Sequence, residues 1–422
     1  MAKATYYFEA LCSLALFGFG LTPTYASTEA PSGVSAQIAA PVQTAPAPVL
    51  PLSPLGLFDA AVQTLRDNVH DPKRRHPKWE ALVMSTRRQL ESPADEAKAR
   101  QAIAAVLAPL GPSHASLLSD EDQAYWALTS AFSGRMEGGR LRHIGAWFER
   151  AGKRWFIRTV FAGSPAERAG LRRGDEIVSV DGNPLAPVLA FSGQRPGEQS
   201  TVVYRRFPWE KPVRVQVETV LESFQETQLH ALTLGQTRRQ VQGKSVAYVA
   251  LSAATHPRLR AAFADAVRTA EKAADALVID LRGSYGGADL TYVEPFFPQP
   301  VPQEPTGARA NPALYDKPLV ALVDGGTRHG KEWLARLLQT SKRATLVGQR
   351  TAGALLVGRP FEIAPRHLML YLTTSTSPTD TAAKLDGQPL IPDVIVEDSL
   401  LYSAGDDPQL RQALITAAGL VQ

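Results

Sequence analysis

Cysteine is nearly absent from these 422 residues: one is present, Cys12, inside an apolar N-terminal stretch. Past that stretch the chain can form no disulfide and offers no thiol nucleophile. Clustered charge of one sign is also missing. Lys plus Arg number 45 against 41 Asp plus Glu, and the net +4 is spread along the sequence without a long basic run. Nucleic acid is therefore not expected as a partner. The eight histidines show no metal-ligand spacing, so neither a metal nor a cofactor is expected. After the N-terminal stretch no apolar run approaches the roughly 20 residues a helix needs to cross a bilayer, and no internal repeat is found.

What is present begins with a secretory signal over residues 1–26. Lys3 supplies the positive start, Leu11 to Leu21 the apolar stretch, and Thr24-Tyr25-Ala26 a small-residue end. Cys12 lacks the small-residue context of a lipoprotein cysteine, so no lipid anchor is expected. The expectation is export into a bacterial periplasm with no stable membrane span after cleavage; a retained anchor is the alternative. Residues 27–54 are rich in Ala, Pro, Ser and Thr and almost uncharged, the composition of a flexible linker.

From residue 55 the pattern turns helical. Phe58, Val62 and Leu65 recur at helical spacing, Trp79, Leu82 and Val83 start a second helix, and Ser92-Pro93-Ala94-Asp95 predicts a capped third. Residues 55–127 are read as an N-terminal helical domain. Residues 135–222 are strand-rich. Within them Ser164-Pro165-Ala166-Glu167 predicts a short helix with a capping box, and Gly174 to Gly182 a strand closing in the turn Asp181-Gly182. Residues 225–422 alternate strand and helix: Val246–Leu251, Arg258–Ala273, Ala276–Leu281, Leu319–Val323, then a helix from Lys331. Such alternation predicts a mostly parallel sheet. The fold class is multidomain α/β.

The segment DGGTRHGKEWL, residues 324–334, directly follows the apolar run Leu319–Val323. A buried strand, a glycine turn and a helix start are the parts of a nucleophile elbow. The segment offers Thr327, His329 and Lys331 but no serine or cysteine. Lys331 reads as an exposed first-turn residue, and His329 as a solvated helix-start residue or a ligand-binding one. Arg282 reads as a structural hydrogen-bond donor within the core.

GSPAERAGLRRGDEIVSVDG, residues 163–182, resembles a PDZ domain, mostly β in structure. The order of parts resembles the carboxy-terminal-processing, or tail-specific, serine peptidases: helical start, PDZ module, α/β peptidase-like core. Leu110-Gly111-Pro112-Ser113-His114 is similar to the family's LGDSH-type segment, and DLRGSYGG, residues 280–287, to its DLRGNPGG. KRATLVG, residues 342–348, resembles KRATLVGEKTFGKG, and PLIPDV, residues 389–394, resembles the family's ending.

The resemblance implies a Ser/Lys dyad. Its attacking serine, in a segment like GSASASE, falls on His329, and its general-base lysine on Ala354. Covalent acyl transfer needs a nucleophile with a base beside it, and loss of either member of such a unit costs orders of magnitude in rate. The expectation is therefore weak or absent hydrolase activity, a pseudoprotease. Backbone N–H groups of Gly286, Gly287, Gly325 and Gly326 are the implied oxyanion donors. Relatives of the tricorn branch take their base from an SHA segment, which Ser113-His114-Ala115 matches. An active serine-type or threonine-type endopeptidase would then use His114, with Ser113 beside it and Thr327 as the hydroxyl.

PDZ domains bind a peptide's C-terminal carboxylate and add the peptide as a strand. Ile144-Gly145-Ala146-Trp147 has the character of the carboxylate loop, with the Gly145 and Ala146 N–H groups as the anion cradle and Ile144 and Trp147 near the apolar pocket. The expected partners are protein or peptide C-termini, an active protease or an envelope protein. The third reading is a cell-envelope adaptor that binds no peptide.

Overall fold

The structure is a computed structural model. It describes residues 52–69, 77–91, 94–110, 115–195, 197–253, 255–283, 290–298, 313–356, 358–364, 368–374 and 385–422. The expected signal, nearly all of the linker, and the candidates Ser113, His114, Gly286 and Gly287 lie outside these residues.

Three helices come first: α1 (Pro54–Asn68), α2 (Pro77–Gln89) and α3 (Glu96–Leu107). Leu57, Phe58, Ala61, Val62 and Leu65 bury one stripe of α1. The Trp79 indole N–H of α2 donates to Val106 O on α3 at 2.7 Å. The cap of α3 differs from expectation. Asp95 is the N-cap and its carboxylate accepts Lys98 N at 2.9 Å, so the cap lies three residues after Ser92. A carboxylate also favours the positive end of the helix dipole.

Strand β1 (Ala115–Ser119) and helix α4 (Gln123–Phe132) follow. β1 does not pair locally. It lies antiparallel to β15 (Leu368–Thr373), which pairs β14 (Gly358–Ala364). Ile363, Leu368, Leu370 and Leu372 share one core with α1, α2 and α3. The helical layer is thus completed by strands from the far end of the chain.

The middle of the chain forms an antiparallel sheet in the order β3 (Ala146–Ala151), β4 (Arg154–Val160), β5 (Glu176–Val180), β6 (Gln199–Arg205) and β7 (Val213–Glu218). The short helices α5 (Pro165–Arg168) and α6 (Leu189–Ser192) cover it, and β2 (Leu141–His143) pairs β8 (Val220–Glu222) beside it. Asp181 (φ 48) and Gly182 (φ 82) form the expected turn. Ser164 caps α5 through Glu167 N, but the Glu167 carboxylate accepts Gly163 N at 2.7 Å instead of closing the box on Ser164.

Helix α7 (Phe224–Leu234) leads into a six-stranded sheet ordered β16 (Val394–Ile395), β13 (Thr345–Gly348), β12 (Leu319–Val323), β11 (Ala276–Asp280), β10 (Lys244–Ala250) and β9 (Thr237–Val241). All pairs are parallel except β10 with β9. Along β12, Leu319, Ala321 and Val323 face α8 (Pro257–Ala273) and α9 (Gly330–Thr340), while Val320 and Leu322 face α10 (Pro408–Gly419). A sheet covered on both faces explains why these strands read as continuous apolar runs. No helix among the described residues is long and apolar enough to cross a membrane.

Candidate active site

β12 ends at Val323 and α9 begins at Gly330. Between them His329 takes φ 54 and ψ −129, a conformation that L residues avoid and that persists only where its surroundings hold it. Its backbone N–H donates to Ala354 O at 2.6 Å. Its Nδ1 lies 2.8 Å from Leu356 O, and a carbonyl can only accept, so the proton sits on Nδ1. When the ring is neutral its Nε2 accepts, and the Tyr371 hydroxyl, 3.2 Å away, donates to it. The imidazole is 3% exposed. The elbow has its strained backbone, but a buried ring stands where a hydroxyl would be presented.

Ala354 is fully buried, and both its backbone groups are engaged. Its N–H donates to Glu332 Oε2 at 2.8 Å, and Gly353 N donates to Glu332 Oε1 at 2.9 Å. Thr351 Oγ1 also donates to this carboxylate. Burial pushes the Glu332 carboxyl up, against these donors. Where the resemblance expects a base, the chain has a methyl group on a segment fastened to α9 by Glu332.

Lys331 corrects a sequence expectation, for it is wholly buried. Its ammonium donates to the carbonyl oxygens of Arg282, at 3.1 Å, and Gly283. Burial lowers its pKa to about 8, although Asp324 and Asp280 oppose the shift. His329 is likewise buried and not solvated. Thr327 is buried with its hydroxyl donated to Leu281 O at 2.9 Å, and it accepts Asp324 N at 3.0 Å. That hydroxyl braces the turn. Arg282 does act structurally, holding Asp280, Asp407 and Gln409.

Asp324 organises the turn. Its Oδ1 accepts Gly283 N at 2.8 Å and Gly326 N at 2.9 Å, and its Oδ2 accepts Arg158 Nη2 at 2.9 Å. Of the proposed oxyanion pair, Gly326 thus spends its N–H on Asp324, while Gly325 is exposed. Arg158 comes from β4 and also binds Asp398. A cleft of about 720 Å³ lies between the two sheets, walled by Trp147 and Phe224 and floored by Gly283, Asp324 and Gly326.

Ile144, at 1% exposed, belongs to the core of the antiparallel sheet. Gly145 has φ 72, and a Cβ there would lie 2.3 Å from Ser164 Cβ, so only glycine fits. Its N–H donates to His143 Nδ1 at 2.9 Å. Ala146 O accepts from Gln123, and Trp147 packs edge-on against Phe224 at 5.1 Å. His143, with Nδ1 as acceptor, carries its proton on Nε2 toward Thr227 Oγ1 at 3.2 Å, and Thr227 donates on to Glu222. Burial lowers the His143 pKa to about 4. Sequence reasoning missed Gln123, Arg158, Asp324 and Tyr371. Only Asp324, immediately after a buried strand, carried a local signal.

Residues 245–396 match peptidase family S41, and residues 156–203 match the PDZ domain. The carboxyl-terminal-processing protease of Synechocystis sp. is 29% identical over 269 residues, 59% of this chain and 60% of that protein. Carboxy-terminal processing protease CtpB of Bacillus subtilis is 28% identical over 270 residues, 56% of this chain and 52% of that protein. The chain thus spans about half to three fifths of the length of these relatives. The solved tricorn protease is similar in fold, with a TM-score of 0.52 at 16% identity over 86% of this chain and 36% of that chain. A PDZ match thus lies ahead of a peptidase family S41 match, and the chain is similar to carboxyl-terminal-processing proteases in both sequence and order of parts.

Proposed function

We propose that this chain docks the C-terminal ends of proteins through its PDZ domain and does not cleave them. The observation that carries this reading is the state of His329, which occupies the strained elbow position with its ring buried, Nδ1 against Leu356 O and Nε2 against the Tyr371 hydroxyl. Acyl transfer requires a nucleophile free to reach the carbonyl and a base to take its proton. The ring lone pair is engaged, Ala354 has no basic group, and the Thr327 hydroxyl is committed to Leu281 O. The cleft then holds polypeptide without attacking it. An active protease or an envelope protein is the natural partner for such a chain, and the apolar N-terminal stretch supports export to the periplasm as the setting.

The test offers the purified chain an unstructured polypeptide with an apolar free C-terminus. Binding without cleavage, lost when the terminus is amidated, is the expected result. Cleavage abolished by His114→Ala or Thr327→Ala would overturn the inactive reading, and no binding at all would favour a structural adaptor.

A further inference from the structure

β3 is the edge strand of the PDZ sheet, so one side of its backbone is open to a further strand. In this fold that side is already engaged. The Gln123 side-chain Nε2 donates to Ala146 O at 2.9 Å, and Phe148 N donates to Gln123 Oε1 at 2.9 Å. Ala146 O and Phe148 N belong to alternate residues and so face the same edge of the strand. A carboxamide carries the same donor and acceptor as a peptide unit. Gln123 therefore makes the two bonds that an added strand's backbone would make.

The residue is held there firmly. It opens α4, whose N-cap residue Asp122 makes no side-chain cap bond. The Asp122 carboxylate accepts Ser119 N at 2.8 Å and Ser119 Oγ at 2.9 Å, which ties the start of α4 to the end of β1. The Trp126 indole N–H donates to Asp120 O at 2.7 Å and closes the same corner. Gln123 thus reaches β3 from the layer shared by the N-terminal helices and β15, outside the PDZ sheet. The Phe148 ring itself stacks on Phe191 of α6, with centroids 6.5 Å apart.

We propose that Gln123 is a built-in competitor for the strand-adding edge of the PDZ domain, its carboxamide occupying Ala146 O and Phe148 N until an extended peptide with a free C-terminus displaces it. The inference rests on the C-terminus-binding reading above. Because Gln123 touches only backbone atoms of β3 in these two bonds, the competition is indifferent to peptide sequence and sets a threshold affinity for every ligand of this edge.

The experiment uses the full chain as wild type, Gln123→Ala and Gln123→Glu, with two readouts. One is amide hydrogen exchange at Phe148 without peptide; the other is fluorescence anisotropy with a labelled peptide ending in a free apolar residue. Gln123→Ala is expected to accelerate exchange at Phe148 while the β4–β5 amides stay protected, and to tighten peptide binding at least fivefold. Gln123→Glu keeps an acceptor for Phe148 N but has no donor for Ala146 O, and is expected to fall between. Retained β4–β5 protection shows that each variant is folded. Unchanged Phe148 exchange in a folded Gln123→Ala overturns the capping contact. Faster exchange with equal or weaker peptide binding overturns the competition. If neither wild type nor Gln123→Ala binds the peptide while Phe148 exchange accelerates, the C-terminus-binding reading is the one that fails, and the competitor role falls with it.

Discussion

Arg158, on a strand of the PDZ sheet, donates from Nη2 to Asp324 Oδ2 at 2.9 Å, at the turn that follows the central core strand. The Asp324 side chain is 5% exposed and the Arg158 side chain 22%, so the pair is screened far less than a surface contact. Asp398 accepts from the same guanidinium and from Arg173, which is also in the PDZ domain. Two arginines of one domain thus converge on two carboxylates of the other.

A double-mutant cycle of Arg158→Ala and Asp324→Asn measures the pair directly. We expect a coupling energy of about 1.5 kcal/mol or more from urea unfolding, as for partly buried pairs and unlike exposed ones. A value near zero would show that the two domains sit together for other reasons.

Tyr371→Phe removes the hydroxyl that donates to His329 Nε2 while keeping the ring contact at 5.7 Å. Withdrawing a donor from a buried acceptor destabilises by about 1–2 kcal/mol, and thermal unfolding is expected to shift accordingly. No loss would mean that this hydrogen bond contributes nothing to holding the elbow.

Lys331 sets an alkaline signature. Its folded pKa of about 8 lies below the ordinary 10.5. Below pH 8 both folded and unfolded chains hold the proton, and confining the charge lowers stability by roughly 3 kcal/mol. Between pH 8 and 10.5 the unfolded chain binds more protons than the folded one, so stability rises with pH. In Lys331→Met this rise should disappear from chemical denaturation curves recorded across that window. If the wild-type curves are flat there, the ammonium is better solvated than its burial implies.

His143 works at the acid end. Its folded pKa of about 4 lies below the ordinary 6.5, so the unfolded chain takes up a proton first as pH falls through that interval. Stability is expected to drop by about 3 kcal/mol in total between pH 6.5 and 4, with the turn at Gly145 opening early because Gly145 N–H rests on this ring. His143→Asn, which does not titrate, should flatten the decline seen by tryptophan fluorescence in urea.

The core strands were legible because burial on both faces writes itself as an unbroken apolar run: Leu319–Val323 was read with the bounds the structure gives. The Asp181-Gly182 turn was legible for a local reason, since both residues sit at positive φ. Contacts closed over long separations were not. Lys331 looked exposed because a first-turn lysine ordinarily is, and nothing near it in sequence announces the carbonyls of Arg282 and Gly283 that receive it. Tyr371 and Gln123 gave no signal for the same reason. The cap of α3 was misplaced because Ser92-Pro93 and Asp95 are both acceptable starts, and only the bond to Lys98 N separates them. Candidate site positions were found by resemblance. What their side chains do required coordinates.

The antiparallel pairing of Ala115 with Leu372 also bears on how the molecule is made. A ribosome adds roughly 5–20 residues each second, so the first three helices emerge tens of seconds before the strands that complete their hydrophobic layer. Until then they have only one another to bury against, and a fragment of the three helices alone should be less stable than the same helices in the full chain. Completion of that layer is accordingly a late event, following the arrival of β14 and β15.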